Sequence, residues 1–325
     1  MLAALLAVLT SQPMPSASAA VAQDRGMTLW GWTPTAYAEP ASDAAIDRMA
    51  GIGVRSVTLV PMWFQAHATS STIAPRADFT TSDASLEHAV RQARYRGLRV
   101  TIKPQIDVSD GTWRGAISPV DGSAWFTRYS QFIGHYAALG QRLGASQVVV
   151  GTELAGVSGD TARWRAIISQ VRSTFSGLLT YAALPFEYAR IGFWPSLNSV
   201  GVDAYWKLSS VPTTDVTALR QAWSPILSDL QAFSARLRRP VQLTEAGYAS
   251  QVGTATDPSS WSLSTAPAPA EQAAAYQALL ESFSARSWCS GITWWAWRAT
   301  NDSAPLDFTP QGKPAETVLR TFWGG

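Results

Sequence analysis

One cysteine, Cys289, stands in 325 residues, so no intrachain disulfide framework can form. It flanks a β-rich run and reads as a small buried hydrophobe. Histidine is nearly as scarce: His67, His88 and His135 lie far apart and match no zinc-ligand spacing. Charged residues make up only 15% of the chain, and 25 basic side chains almost cancel 23 acidic ones. No basic stripe forms, which removes the electrostatic case for a nucleic-acid partner. Walker and dinucleotide fingerprints are absent, as is the G-x-S-x-G elbow of serine hydrolases, and Cys289 lacks a convincing histidine partner. Nucleotide-dependent chemistry and serine or cysteine nucleophiles are therefore not expected. Long apolar runs are missing too. Residues 2–9 are far too short a run to cross a bilayer, and no later segment supplies the ~20 uninterrupted apolar residues of a transmembrane helix. The short run is followed by small and polar residues ending Ala17-Ser18-Ala19, an A-x-A-like cleavage site. Residues 1–19 thus read as an export signal, although no Lys or Arg precedes the run, and a secreted protein with no membrane partner is expected.

Hydrophobic residues, by contrast, make up 46% of the chain, enough for one sizeable core. Tryptophan is abundant, with 15 residues. Core filling accounts for about half of them, since aromatic side chains dominate many cores. The others fall where strands should end, and flat indole faces there suit sugar rings.

Short β-rich runs recur at residues 27–32, 55–60, 98–103, 147–152, 178–182, 199–205, 240–244 and 291–297. Helical spacing fills the gaps: Leu86, Ala89, Val90 and Ala93, with Gly97 placed as a C-terminal cap, then Trp125, Tyr129, Phe132, Ile133 and Tyr136. Trp164, Ile167, Ile168 and Val171, closed by Gly177, mark another helix, and residues 218–238 and 271–286 mark two more. The fifth unit is the weakest, with a barely visible helix near residues 194–197. Eight such units over roughly 300 residues point to an α/β (β/α)₈ TIM barrel, one domain over residues 20–325. The competing doubly wound sheet usually has a Gly-rich phosphate loop after its first strand, and Trp30-Gly31-Trp32-Thr33-Pro34 is not one. Residues 249–269, rich in Ser, Thr, Pro and Ala, read as a long loop after strand seven, on the face where barrels keep their active sites.

Two apolar runs on that face end abruptly in a carboxylate. Val148-Val149-Val150-Gly151-Thr152-Glu153 closes strand four, and Val241-Gln242-Leu243-Thr244-Glu245 closes strand seven. Cleaving a glycosidic bond needs two carboxyl groups across it, one to protonate the leaving oxygen and one to attack the anomeric carbon or activate water. Either glutamate alone would read as a solvated strand end. Two in register, beside tryptophan-rich strand ends, read as catalytic.

These residues resemble clan A of the glycoside hydrolases, which places its acid/base and nucleophile glutamates after strands four and seven. More narrowly, the chain resembles glycoside hydrolase family 113 in Lys103-Pro104-Gln105, Trp113-Arg114-Gly115, Gly151-Thr152-Glu153-Leu154, Gly201-Val202-Asp203-Ala204-Tyr205 and Thr244-Glu245-Ala246-Gly247-Tyr248. Trp294-Trp295-Ala296-Trp297 and Gly312-Lys313-Pro314-Ala315 extend the resemblance over residues 27–323. It implies a β-1,4-mannan substrate and a retaining mechanism, with Glu153 as general acid/base and Glu245 as nucleophile. Tyr205 is implied as the hydrogen-bond partner that orients Glu245; the alternative is a core tyrosine. Many clan members place Asn before the acid/base to bind the sugar 2-hydroxyl, and here Thr152 stands in that position.

Lys103, Gln105, Trp113 and Arg114 follow strand three and are candidates for contacts with sugar hydroxyls, with a structural salt bridge as the alternative for Arg114. Asp203 reads as a structural or substrate-orienting carboxylate, and Asp107 and Asp302 also lie near strand ends. Trp30, Trp32 and Trp63 are each either sugar platforms or core. Alternate residues of a strand face opposite ways, so Trp295 and Trp297 should share the sugar-facing side and Trp294 the other. The expectation is a monomer acting on a polysaccharide or oligosaccharide, with no cofactor and no metal. Two rivals stand beside it: the same machinery on xylan, glucan or galactan, and a non-catalytic carbohydrate-binding barrel.

Overall fold

The computed structural model of the chain describes residues 23–300 and 304–324. The expected export segment, residues 1–19, and Asp302 lie outside the described residues. Eight parallel strands close into a barrel: β1 (Asp24–Trp30), β2 (Ser56–Leu59), β4 (Arg99–Ile102), β6 (Gln147–Thr152), β7 (Leu178–Ala183), β8 (Val200–Asp203), β9 (Val241–Ala246) and β10 (Cys289–Arg298). Each overlaps one of the eight expected runs. Beyond the ends of β2 and β4, the same two chain segments pair again as β3 (Met62–Gln65) and β5 (Gln105–Val108). This small sheet raises one wall of the barrel mouth.

Seven α-helices surround the barrel among the described residues: α1 (Pro40–Gly51), α2 (Asp83–Tyr95), α3 (Gly122–Leu143), α4 (Thr161–Thr174), α5 (Val216–Leu237), α6 (Pro269–Phe283) and α7 (Pro314–Trp323). Their starts are chemically marked. The Ser82 hydroxyl accepts the Ser85 amide, and Asp121, Asp160 and Asp215 accept the amides of Ala124, Arg163 and Ala218, which satisfies donors that a helix leaves open. Gly97, with φ +74°, follows α2 in the left-handed conformation that a non-glycine residue adopts only at a cost.

The fifth unit has no α-helix. Residues 184–199 instead make two short 3₁₀ turns, Tyr188–Arg190 and Trp194–Ser196. Pro185 and Pro195 remove backbone donors that a helix would need, and the fully buried rings of Phe193 and Trp194 fill the space a helix would take.

Register breaks occur in three strands just where they reach the mouth. They lie between Val149 and Thr152 on β6, between Leu243 and Glu245 on β9, and between Ile292 and Trp294 on β10. A β-bulge re-aims the side chains beyond it, and bulges concentrate at barrel rims beside active sites. The two glutamates therefore leave the barrel at angles a regular strand would not give them.

Candidate active site

At the C-terminal ends of the strands lies a cleft of about 700 Å³. Glu153 and Glu245 both face it, though each is almost buried, with 8% and 5% of its surface exposed. One carboxylate oxygen from each of Glu153, Asp203 and Glu245 lies within 4.8 Å of the others. Three acids this close repel, and the protein supplies the countercharge. Lys103, wholly buried, sets its ammonium against Glu245 Oε1 and 3.3 Å from Asp203 Oδ1. Burial alone would lower the Lys103 pKa, but Asp203 and Glu245 outweigh it and hold the ammonium above its ordinary value. Arg114 plays the same part for the other carboxylate, donating to Glu153 Oε2 at 3.0 Å and to Asp107 Oδ2 at 3.4 Å.

Each glutamate keeps a distinct environment. Glu245 is gripped at both oxygens: Tyr205 donates to Oε2 at 2.7 Å, while Lys103 and Gln105 donate to Oε1. These contacts hold both oxygens of Glu245 in fixed positions. Glu153 pairs directly with Arg114. Burial pushes its carboxyl above the ordinary carboxylate range; Arg114 opposes that push, and the negative charge of Glu245 adds to it. Asp203 is pushed up further by burial and by Glu245, with Lys103 and the Thr244 hydroxyl (2.7 Å) holding it down. Two glutamates in different surroundings, one beside Arg114 and one beside Lys103 and Tyr205, thus face one another across a cleft.

The sequence model of Glycoside Hydrolase Family 113 matches residues 27–310, nearly all of the barrel. The chain belongs to glycoside hydrolase family 113. Among solved structures, a family 113 β-mannanase from Alicyclobacillus acidocaldarius in complex with ManMIm is 25% identical, with a TM-score of 0.86 over 94% of this chain and 99% of that one. A complex of a family 113 β-1,4-mannanase gives 25% identity and a TM-score of 0.85 over 93% and 99%. A family 5 mannosidase from Rhizomucor miehei shares the fold alone, at 10% identity and a TM-score of 0.65 over 93% and 92%. Among curated protein sequences nothing matches. This glycoside hydrolase of clan A therefore carries Glu153 and Glu245 at the strand ends where the resemblance put them.

The remaining site residues divide by what they touch. Trp32, Gln105, Trp113, Arg114, Tyr205 and Trp295 line the cleft of this family 113 hydrolase. Lys103, a candidate for sugar hydroxyls, and Asp203, a candidate structural or substrate-orienting carboxylate, have no exposed surface: Lys103 contacts the carboxylates of Glu245 and Asp203, and Asp203 also accepts from Thr244. Thr152 is buried behind Glu153 and does not reach the cleft. Trp30 supports the Trp32 ring at 4.4 Å and is covered by the Arg298 guanidinium. Two candidate platforms belong to the core. Trp63 packs against Phe132 and Tyr136 of α3 at 5.4 and 6.4 Å. Trp297 is fully buried with Arg48 of α1 over its ring. Its displacement follows from a bulge: Met27 and Leu29 of β1 pair with Trp294 and Trp297, so three steps on β10 match two on β1. The extra residue reverses the alternation and sends Trp297 outward with Trp294, leaving Trp295 alone on the cleft side.

Sequence reasoning missed three cleft aromatics, Trp261, Phe186 and Phe308. Trp261, in the loop before α6, stands 44% exposed, with its ring 4.7 Å from Phe308 and 6.4 Å from Trp295. Phe186, in the turn after β7, faces Trp113 at 6.2 Å across the opposite flank. None lies on a periodic element. The only signal was an aromatic residue in a loop that follows a barrel strand.

Proposed function

We propose that this hydrolase is an endo-acting β-1,4-mannanase that works by retaining double displacement. Glu153 protonates the glycosidic oxygen while a Glu245 oxygen attacks the anomeric carbon, which breaks the bond to the leaving sugar and forms a glycosyl ester. Glu153, now ionised, takes a proton from water, and that water displaces Glu245 with net retention. The observation that carries this reading is the spacing of the two carboxylates, within 4.8 Å oxygen to oxygen. Retaining enzymes hold their pair about 5–5.5 Å apart, whereas inverting ones leave roughly 6.5–9.5 Å for an intervening water. The mannan assignment draws on the two family 113 relatives, both described as β-mannanases.

The same chemistry orients the chain. The leaving sugar departs on the acid's side, beside Arg114, Trp113 and Phe186. The sugar that becomes the ester lies over Trp295, between Trp32 and Trp261. Aromatic surfaces on both flanks suit a polymer bound on both sides of the cut, and a polymer that cannot enter a cell fits export by residues 1–19.

Release of reducing ends from β-mannan, glucomannan, xylan, β-glucan and β-galactan tests the substrate, and proton NMR of the first product tests the stereochemistry. Fastest internal cleavage of mannan with the β-anomer appearing first is expected. Faster attack on another glycan sinks the mannan reading, and the α-anomer appearing first sinks retention. Turnover surviving in Glu245→Gln would remove the nucleophile.

A further inference from the structure

Tyr181 and Glu187 take no part in the steps above, yet both are polar and almost wholly buried. The Tyr181 hydroxyl donates to Glu187 Oε1 at 2.7 Å and accepts the Leu154 amide at 2.9 Å. Leu154 is the residue directly after Glu153. The other Glu187 oxygen accepts the Leu184 amide at 3.0 Å. Directly or through the Tyr181 hydroxyl, one carboxylate therefore joins three segments: the chain leaving β6 behind Glu153, the strand β7, and the turn that carries Phe186 into the cleft.

Glu153 needs such support. Its φ is +55°, in the left-handed region, which a non-glycine residue holds at a cost of about 1–3 kcal/mol and only where the surroundings fix it. Its own amide donates to Ala182 O at 2.8 Å. Two residues earlier, the Tyr181 ring lies so close to Gly151 that a Cβ there would sit 2.7 Å from it. That ring is wedged between Trp164 and Phe193 at 5.4 and 5.3 Å. Tyr181 thus presses on the backbone before the acid and holds it after the acid. It is itself locked by packing on its faces and by Glu187 at its hydroxyl.

We propose that Glu187 and Tyr181 are positioning residues for the general acid, fixing the Leu154 backbone so that the Glu153 carboxyl stays aimed at the leaving-group oxygen. The proposal rests on the reading of Glu153 as that acid. Neither residue touches substrate; Glu187 acts through Tyr181, and Tyr181 through the peptide.

A misplaced acid matters in proportion to how badly the leaving group needs a proton. The test uses phenyl, 4-nitrophenyl and 2,4-dinitrophenyl β-glycosides of the sugar that the polysaccharide panel selects, with kcat/KM reporting the glycosylation step. Tyr181→Phe is expected to lower kcat/KM about tenfold on the phenyl glycoside, part of the roughly 10²–10⁴-fold that a positioned acid contributes. On the dinitrophenyl glycoside the loss should stay below about twofold, because that phenolate leaves unprotonated. The loss should appear in kcat rather than in KM, and Glu187→Gln should repeat the pattern. Thermal unfolding run alongside identifies any variant that fails to fold; the other then decides. An equal loss across all three leaving groups in the folded variants overturns the proposal, since a merely structural defect ignores the leaving group. Glu153→Gln is the control. If it is strongly leaving-group dependent while the other two are flat, the positioning role alone fails. If Glu153→Gln is flat as well, the acid assignment fails and takes the proposal with it.

Discussion

As the proposed general acid, Glu153 must hold a proton when substrate arrives, and its surroundings push it both ways. Burial and the Glu245 charge favour the protonated form, while Arg114 favours the ionised one; the sum lies above the ordinary value. As pH rises through that raised pKa the acid ionises and the rate falls, so Glu153 sets the alkaline limb of kcat/KM. In Glu153→Gln that limb should vanish, and a profile of unchanged shape would assign the acid elsewhere. Lys103 calls for the opposite experiment. Lys103→Met keeps the length of the side chain but leaves Asp203 and Glu245 without their cation. Removing one partner of a buried ion pair costs about 3–5 kcal/mol, so the urea midpoint at pH 7 should fall sharply. Asp203, already held above its ordinary value by burial and Glu245, would rise further without Lys103, so stability is lost as pH rises between its unfolded and folded values. The deficit should therefore be smaller at pH 4 than at pH 7, and an equal deficit at both would show that the cation does not compensate these acids. Both glutamates were legible because each ends an apolar run. The role of Lys103 was not, because sequence places a lysine at a strand end without saying whether it rises into the cleft or turns inward between two acids.

β10 shows how an element can be legible in place and illegible in phase. Its apolar run and position were plain, and strict alternation correctly separates Trp294 from Trp295. The bulge against β1 then shifts the phase, and a bulge of one residue leaves no trace in hydrophobic pattern. The three tryptophans should respond accordingly. Trp294 stacks on Tyr276 of α6 at 3.8 Å and 7°, wholly buried. Trp294→Ala and Trp297→Ala should each cost ~3–5 kcal/mol of stability and leave KM for oligosaccharides nearly unchanged. Trp295→Ala should lower kcat/KM by roughly a hundredfold, about 2.7 kcal/mol of lost transition-state contact, with a smaller shift in Tm. Equal behaviour of Trp295 and Trp297 would contradict the shifted phase. Helices were legible where large apolar residues recur, as in α3 and α4. The helix α1 is poor in such residues; it buries Ser42, Ala45, Ile46 and Met49, a face too small to announce itself.

At the scale of the molecule, a barrel must close on itself, and the seam is where the first and last strands pair. Closure there depends on partners about 270 positions apart, such as Asp24 and Gly291, which no local pattern reports. The eight strands could be counted from sequence, but what secures the seam could not. In the structure it is α7. Its residues Ala315 and Leu319 are wholly buried and Trp323 nearly so. Trp323 packs on Gly53 at the entry to β2, and its carbonyl accepts from Arg25 of β1. Glu316 takes both arms of Arg48 from α1 at 2.8 and 3.2 Å. Helix α7 thus binds the first unit to the last from outside, far from the cleft. Each large side chain it buries contributes roughly 1.5–3 kcal/mol, against a net stability of about 5–15 kcal/mol for a typical domain. A chain ending at residue 313 should therefore lose its sharp thermal transition and its near-ultraviolet circular dichroism, with hydrolysis lost in the same step, because the two glutamates stand on strands that only a closed barrel holds in register. Should that shortened chain keep its Tm and its turnover, the seam is secured by the β1–β10 ladder alone and α7 is dispensable.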